Sequence, residues 1–411
     1  FVVIAEQHDR ARKVRRKGSP WSARAEGVEL DQHYVQPVCT PTRTALLSGR
    51  YPGRFGPHAL APSNLRAMPL GTVTLASALK TLGYHTYQTG KWHLGARQEW
   101  GPTAFGFDHG YGALTGAADP WTHKYRPGPY EDTWHRDGKP IHEEGNATEL
   151  IAAEAVRRIE ERQSPWFIYV PFHAVHTPVD APEEYLRLYD GVKFHDEPEK
   201  QNSRLRMAAM VSQLDAKIGQ FVATLTSTGQ RDDTLIVFTS DHGNHFRTRN
   251  LEYKRSPHDA SLRIPLVLSG PGFRGGARRS DFATNLDLVP TLVRAAGGVD
   301  PGLDGRPLQS ERGAPGDVFV QISESQIGRA VRTRTHTYAV VAPTRSPLAG
   351  HRRPGADRYV ESHLYDNIED PSQLVNRVRD PATAELRHHL SNLLAATIGR
   401  IEGVAPQIHS R

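Results

Sequence analysis

From about residue 70 onward, the hydrophobic and polar positions of this chain alternate between two periods. Residues 72–82 carry apolar side chains at helical spacing and stop at Gly83, and residues 84–89 then read as a strand. Ile151, Ala155 and Ile159 recur every four residues, as one face of a helix requires, and the strand-like run 166–172 follows. The longest helical stripe covers 206–226, from Met207 through Leu214 to Leu225, and reads as core packing rather than as a groove for a partner. Residues 234–239 are β-branched and apolar, the pattern of a strand buried on both faces. A further strand is expected at 261–270 and a helix at 286–296.

Helices and strands in alternation predict an α/β fold built on a large, mostly parallel sheet. A stretch rich in Gly, Pro, Asp and Arg over 297–316 marks a boundary. It divides a main unit, 1–314, from a smaller α+β unit, 315–411. The smaller unit is expected to hold strands near 318–323, 329–332 and 336–342 and a closing helix over 383–399.

Composition narrows the function classes. The chain has 411 residues, of which 37% are hydrophobic and 23% charged, and no apolar run approaches the roughly 18–20 residues that cross a bilayer. One cysteine, Cys39, excludes an internal disulfide and a zinc site built from several thiolates. The net charge of +6 favours anionic partners only weakly. Its densest part, six basic residues between Arg10 and Lys17, has no aromatic neighbours and reads as a solvated tail, so no nucleic-acid partner is expected. No signal peptide is visible and the sequence starts at Phe1. The expected compartment is extracellular or periplasmic if the natural chain begins earlier, and cytoplasmic otherwise. Asn146-Ala-Thr148 has the form of a glycosylation sequon.

Candidate chemistry gathers just after the expected strands. Lys91 and His93 follow the strand at 84–89, His173 and His176 follow 166–172, and Asp241 and His242 follow 234–239. In open α/β sheets the ligand crevice lies beyond the carboxyl ends of the strands, so these segments are expected to converge. Thr40-Pro41 reads as a helix start, with the Thr40 hydroxyl as cap. Cys39 is thereby placed at a helix N-terminus, which favours anions, with Arg43 one turn further on the same side. A thiol-based phosphatase would need a longer loop between its Cys and Arg.

Cys39-Thr-Pro-Thr-Arg43, continuing as Thr-Ala-Leu-Leu-Ser-Gly-Arg-Tyr51, resembles the sulfatase signature, in which the cysteine is oxidised to formylglycine. Gly90-Lys-Trp-His-Leu-Gly95 resembles the second signature of the same family. The likeness runs from about Ala25 to the end, including Thr239-Ser-Asp-His-Gly243 and the segment from Leu364 to Pro371. Gly106-Phe-Asp-His-Gly-Tyr111 and Trp134-His-Arg-Asp-Gly138 look most like the arylsulfatase B-type branch of these type I sulfatases.

The resemblance implies an alkaline-phosphatase-like α/β/α sandwich and hydrolysis of a sulfate ester, on a sulfated carbohydrate or an aryl sulfate. It implies a hydrated formylglycine at position 39 as nucleophile and Ca²⁺ as metal, with Asp241, His242 and residue 39 as ligands. Arg43 and Lys91 would hold the diol and the developing charge, and His93 would be the base that releases sulfate. His176 and Lys254 would bind sulfate and protonate the leaving alcohol. Tyr253 and Arg255 beside Lys254 leave a plain surface loop as its other reading. A formylglycine-generating enzyme or its equivalent is the implied maturation partner.

One segment departs from the pattern. Relatives end their first strand on an Asp-Asp pair that binds metal, whereas here Phe1-Val-Val-Ile-Ala5 is followed by Glu6-Gln7. Glu6 becomes the candidate ligand, with a Gln7 carbonyl oxygen and Asp9 nearby. Two other readings stay open: a phosphonate or phosphate ester hydrolase, because related enzymes share the scaffold, and, because of this departure, a sulfatase-like protein that binds glycans without turnover.

Overall fold

A computed structural model describes residues 2–4, 26–161, 163–299, 302–309, 316–344 and 349–410. Ten strands form the larger sheet: β1 (Val2–Ile4), β2 (Val28–Tyr34), β3 (His85–Thr89), β4 (His109–Ala113), β5 (Trp134–Arg136), β6 (Lys139–Pro140), β7 (Trp166–Pro171), β8 (Ile236–Thr239), β9 (Leu266–Ser269) and β10 (Arg278–Thr284). Their order across the sheet is β10-β2-β9-β8-β1-β7-β3-β4-β5-β6. The block β8-β1-β7-β3-β4 is parallel throughout, while β9 runs antiparallel to both its neighbours and β5 and β6 close the far edge as a hairpin. This is the mixed, largely parallel arrangement that the alternating periods predict.

The principal helices lie where helical spacing places them: α1 (Cys39–Ser48), α2 (Leu75–Thr81), α3 (Ala147–Glu160), α4 (Pro198–Ser227), α5 (Leu288–Ala295) and α6 (Ala384–Glu402). Two apolar clusters pack around the large sheet. One joins α2 and α5 to residues such as Leu30 and Leu266, and the other joins α3 and α4 to residues such as Ile168 and Val170. β7 supplies both, with Phe167 and Tyr169 in the first and Ile168 and Val170 in the second, so it is sandwiched between helical layers. No helix among the described residues is long and apolar enough to cross a membrane.

Several boundaries differ from the sequence reading for local reasons. α2 begins at Leu75 rather than at residue 72, because Thr74 and Ser77 form a capping box. α4 starts eight residues before the expected stripe, with Pro198 in its first turn. Asn146 is buried and caps α3, its Oδ1 accepting hydrogen bonds from the Thr148 amide and from Gln213 Nε2. The folded chain therefore uses the sequon asparagine for packing.

A second sheet, order β11-β12-β13-β14-β15, contains β11 (Asp317–Ile322), β12 (Gly328–Thr333), β13 (His336–Val341), β14 (Arg358–Asp366) and β15 (Gln407–His409). Its first four strands are antiparallel, and α6 packs Leu390, Leu394 and Ile398 against it. A small apolar cluster joins the two sheets, with Tyr34, Leu262 and Phe282 meeting Val318, Val320 and Ala330. Beside it, Arg332 donates from Nε and Nη2 to the two oxygens of Asp259, at 3.0 and 3.1 Å.

Candidate active site

The parallel strands β3 and β8 point the same way with β7 and β1 between them, and the residues that follow β3 and β8 meet α1. The chain leaves β3 through Gly90, whose φ is 127°, and a Cβ there would lie 2.1 Å from the Pro171 carbonyl oxygen. Only glycine allows this approach, which lets the Lys91 amide donate to that carbonyl at 2.7 Å. Lys91 is thereby directed into the interior, with no solvent exposure.

Cys39 is the first helical residue of α1, and all ten residues of that helix are buried. The cap differs from the sequence expectation. Val38 occupies the N-cap with no side-chain bond, and the Thr40 hydroxyl donates instead to the His93 carbonyl at 3.1 Å. Thr40 thus ties the start of α1 to the segment after β3.

Around Cys39 several of the predicted residues converge. Cys39 Sγ lies 3.2 Å from His242 Nε2, and Lys254 Nζ lies 3.2 Å from the same sulfur and 3.0 Å from the same nitrogen. His242 Nδ1 is 2.9 Å from the Gly243 carbonyl oxygen, which can only accept, so Nδ1 carries the proton and Nε2 offers its lone pair. Behind them, Arg43 donates from Nε and Nη2 to Asp241 Oδ2 at 3.2 and 2.9 Å, and from Nη1 to the Lys91 carbonyl at 3.0 Å. Lys91 Nζ stands 3.9 Å from Asp241 Oδ2.

His93 takes a left-handed backbone, φ 58°, and its ring fills the space beside Gly116, where a Cβ would come within 2.2 Å of Nε2. Burial lowers its pKa to about 4, with Lys91 and Arg43 acting in the same direction and Cys39 opposing them. The imidazole is therefore neutral at physiological pH. Tyr169 belongs to the site although sequence reasoning absorbed it into the strand. Its hydroxyl accepts from Arg43 Nη1 at 3.3 Å, and burial pushes its pKa up to about 12.

His176 stands half-buried on the loop after β7, its Nδ1 2.7 Å from the Thr177 carbonyl oxygen. Lys254 is half-buried with its ammonium on Cys39, so the plain surface-loop reading does not describe it. Glu6, Gln7, Asp9 and the basic run 10–17 lie outside the described residues. β1 is described, and Ile4 stands opposite Thr239 of β8 and Pro171 of β7.

Cys39, Asp241 and His242 each bring a possible metal-ligand atom, all within 4.8 Å of one another. Asp241 Oδ1 is buried with no hydrogen-bond partner among the described residues, which suits a cation. The carboxylate is a donor of the hard kind, while an imidazole is a less typical ligand for Ca²⁺.

Comparisons with known proteins point in one direction. The chain is 34% identical over 229 residues to mouse arylsulfatase J, covering 53% of this chain and 37% of that protein. It is 29% identical over 408 residues to the choline-sulfatase of Rhizobium meliloti, covering 84% and 74% respectively. Against rat N-acetylgalactosamine-6-sulfatase it is 28% identical, covering 66% and 56%. The match thus spans from about a third to three quarters of these relatives' lengths. A protein solved with its substrate D-glucosamine-2-N,6-O-disulfate superposes with a TM-score of 0.80 at 18% identity, over 99% of this chain and 98% of the other. The phosphonate monoester hydrolase of Silicibacter pomeroyi gives 0.74 at 18% identity, over 98% and 95%. These two likenesses establish the shared alkaline-phosphatase-like fold. The Sulfatase family model matches residues 10–299, and this chain belongs to the sulfatase family.

Proposed function

We propose that this chain hydrolyses sulfate esters, with a sulfated carbohydrate or an aryl sulfate as substrate. The observation that carries the reading is the convergence of Arg43, Lys91, His93, Asp241, His242 and Lys254 on Cys39, at the N-terminus of α1 and the carboxyl ends of β3 and β8. The assignment to the arylsulfatase B-type branch rests on the motifs at 106–111 and 134–138 and belongs to this proposal.

The proposal includes conversion of Cys39 to formylglycine by a maturation enzyme, which supplies a gem-diol as nucleophile. It also includes Ca²⁺ held by Asp241, His242 and residue 39, with Glu6 as a further candidate, which supplies Lewis acidity toward sulfate oxygens.

The chain's own groups then divide the work. Three cations, Arg43, Lys91 and Lys254, surround residue 39 and neutralise the charge that develops on the sulfate oxygens. Because these groups are packed in advance, little reorganisation accompanies the reaction. His93 is neutral and within the same cluster, so its ring would be the base that holds a proton given up at residue 39 as sulfate is released. Lys254, reaching in from a separate loop, and His176 are assigned to the sulfate oxygens and to protonation of the departing alcohol.

The test combines peptide mass spectrometry around residue 39 with calcium analysis and initial rates on p-nitrophenyl sulfate, phosphate and phosphonate esters. A formylglycine mass, bound calcium and a preference for the sulfate ester are expected. Faster turnover of the phosphonate or phosphate would replace the proposal with hydrolysis of that ester. Glycan binding without calcium or turnover would replace it with a binding role.

A further inference from the structure

The segment that carries Lys254 belongs to the large-sheet unit, yet much of its anchorage comes from the turn between β11 and β12. Arg255 Nε donates to a carboxylate oxygen of Glu324. Gln326 Nε2 donates to the Arg255 carbonyl at 2.8 Å, and Ser325 Oγ donates to Glu252 Oε2 at 3.1 Å. Three consecutive residues of the turn therefore grip both sides of Lys254. On the other flank the Arg255 amide donates at 3.2 Å to the carbonyl of Pro37, two residues before Cys39.

Two further observations point the same way. Arg255 and Glu324 both take left-handed backbones, φ 66° and 75°, a region that non-glycine residues occupy only when their surroundings hold them there. Arg255 is also a second cation directly beside Lys254. The Glu324 carboxylate and, at 3.9 Å, that of Glu252 balance its charge.

We propose that Glu324 is a positioning residue for Lys254, holding the loop through Arg255 so that the ammonium faces residue 39 from the leaving-group side. This rests on the reading of Lys254 as the group that protonates the departing alcohol. The smaller sheet thereby contributes to the reaction without touching substrate.

The experiment compares the full-length wild type with Glu324→Ala and Glu324→Gln on p-nitrophenyl sulfate and on a hexose 6-sulfate. A nitrophenolate leaves with little help, whereas a sugar alcohol needs the proton. Glu324→Ala should lower kcat on the sugar sulfate about tenfold or more, within the range of acid catalysis, and on the aryl sulfate by less than about threefold. Glu324→Gln, which keeps an acceptor for Arg255, should fall between wild type and Glu324→Ala, and it carries the test if the alanine variant does not fold. Amide hydrogen exchange over 246–255 should quicken in the variants while that of α1 stays unchanged. Equal losses on the two substrates, or unchanged rates, overturn the proposal. If the wild type hydrolyses neither ester, the sulfatase reading fails by itself. Exchange then decides the anchoring alone, and unchanged protection at 252–255 overturns it.

Discussion

Arg43 and Asp241 lie 198 positions apart, yet Arg43 places two N–H groups on one oxygen of Asp241 where neither side chain has more than 1% exposure. Lys91, fully buried, adds a second positive charge 3.9 Å from the same oxygen. The carboxylate is a countercharge to both buried cations and helps make their burial tolerable. Asp241 thus has a structural task whatever it binds.

Replacing Asp241 with Ala should therefore cost stability as well as metal. Leaving Arg43 and Lys91 buried without it is expected to lower the unfolding free energy by about 3–5 kcal/mol, read from urea unfolding. Calcium uptake, read by titration, should fall sharply. An unchanged calcium titration would count against Asp241 as a ligand.

Cys39→Ala should abolish turnover and leave the fold nearly intact. The side chain is small and its motif serves chemistry more than packing, so a loss on the order of 1 kcal/mol is expected. Circular dichroism and thermal melting check the fold, and p-nitrophenyl sulfate checks the rate. Retained turnover would remove residue 39 from the mechanism.

Glu6→Asp combined with Gln7→Asp should raise calcium affinity and sulfatase activity together. The pair follows β1, whose Ile4 stands opposite Thr239, two residues before Asp241. No gain in either measurement would remove Glu6 from the candidate ligands.

Acid should destabilise the protein from about pH 6.5 downward. Burial lowers the pKa of His33 and His258 to about 3 and that of His135 to about 4. Folded-state values below the unfolded one mean that the unfolded chain takes up more protons as pH falls from 6.5 toward 3, so stability is lost in that window. Asp287 and Asp317 act in the opposite sense, since burial raises the pKa of Asp287 to about 6 and raises that of Asp317 as well, but they stand against these three imidazoles and His93. Melting temperature measured between pH 7 and pH 4 should fall, and a flat profile would contradict the assignment of neutral buried imidazoles.

Much of this arrangement was legible in the residues, and the exceptions have physical causes. Alternating periods located β3, β7, β8, α3 and α4, and the ends of those strands pointed to Lys91, His93, Asp241 and His242. β2, Val28–Tyr34, was missed because its Val-Glu-Leu-Asp-Gln-His-Tyr mixes polar residues into a largely buried strand. β10 and β14 also lack a clear period, their charged residues being held by tertiary ion pairs such as Arg278 with Asp31. The Arg255–Glu324 contact joins residues 69 positions apart and leaves no local signal. Tyr169 could have been suspected, because a hydroxyl inside an otherwise apolar strand wants a partner.

The place of β1 has a consequence for handling the molecule. Three residues at the very start of the sequence form an interior rung of a ten-rung ladder, flanked by segments that begin at Trp166 and Ile236. Removing them would open a slot about 9–10 Å wide between β7 and β8, two strand spacings across, with unsatisfied amides and carbonyls on both walls. Such a slot has the shape and polarity of a receptor for its own missing peptide.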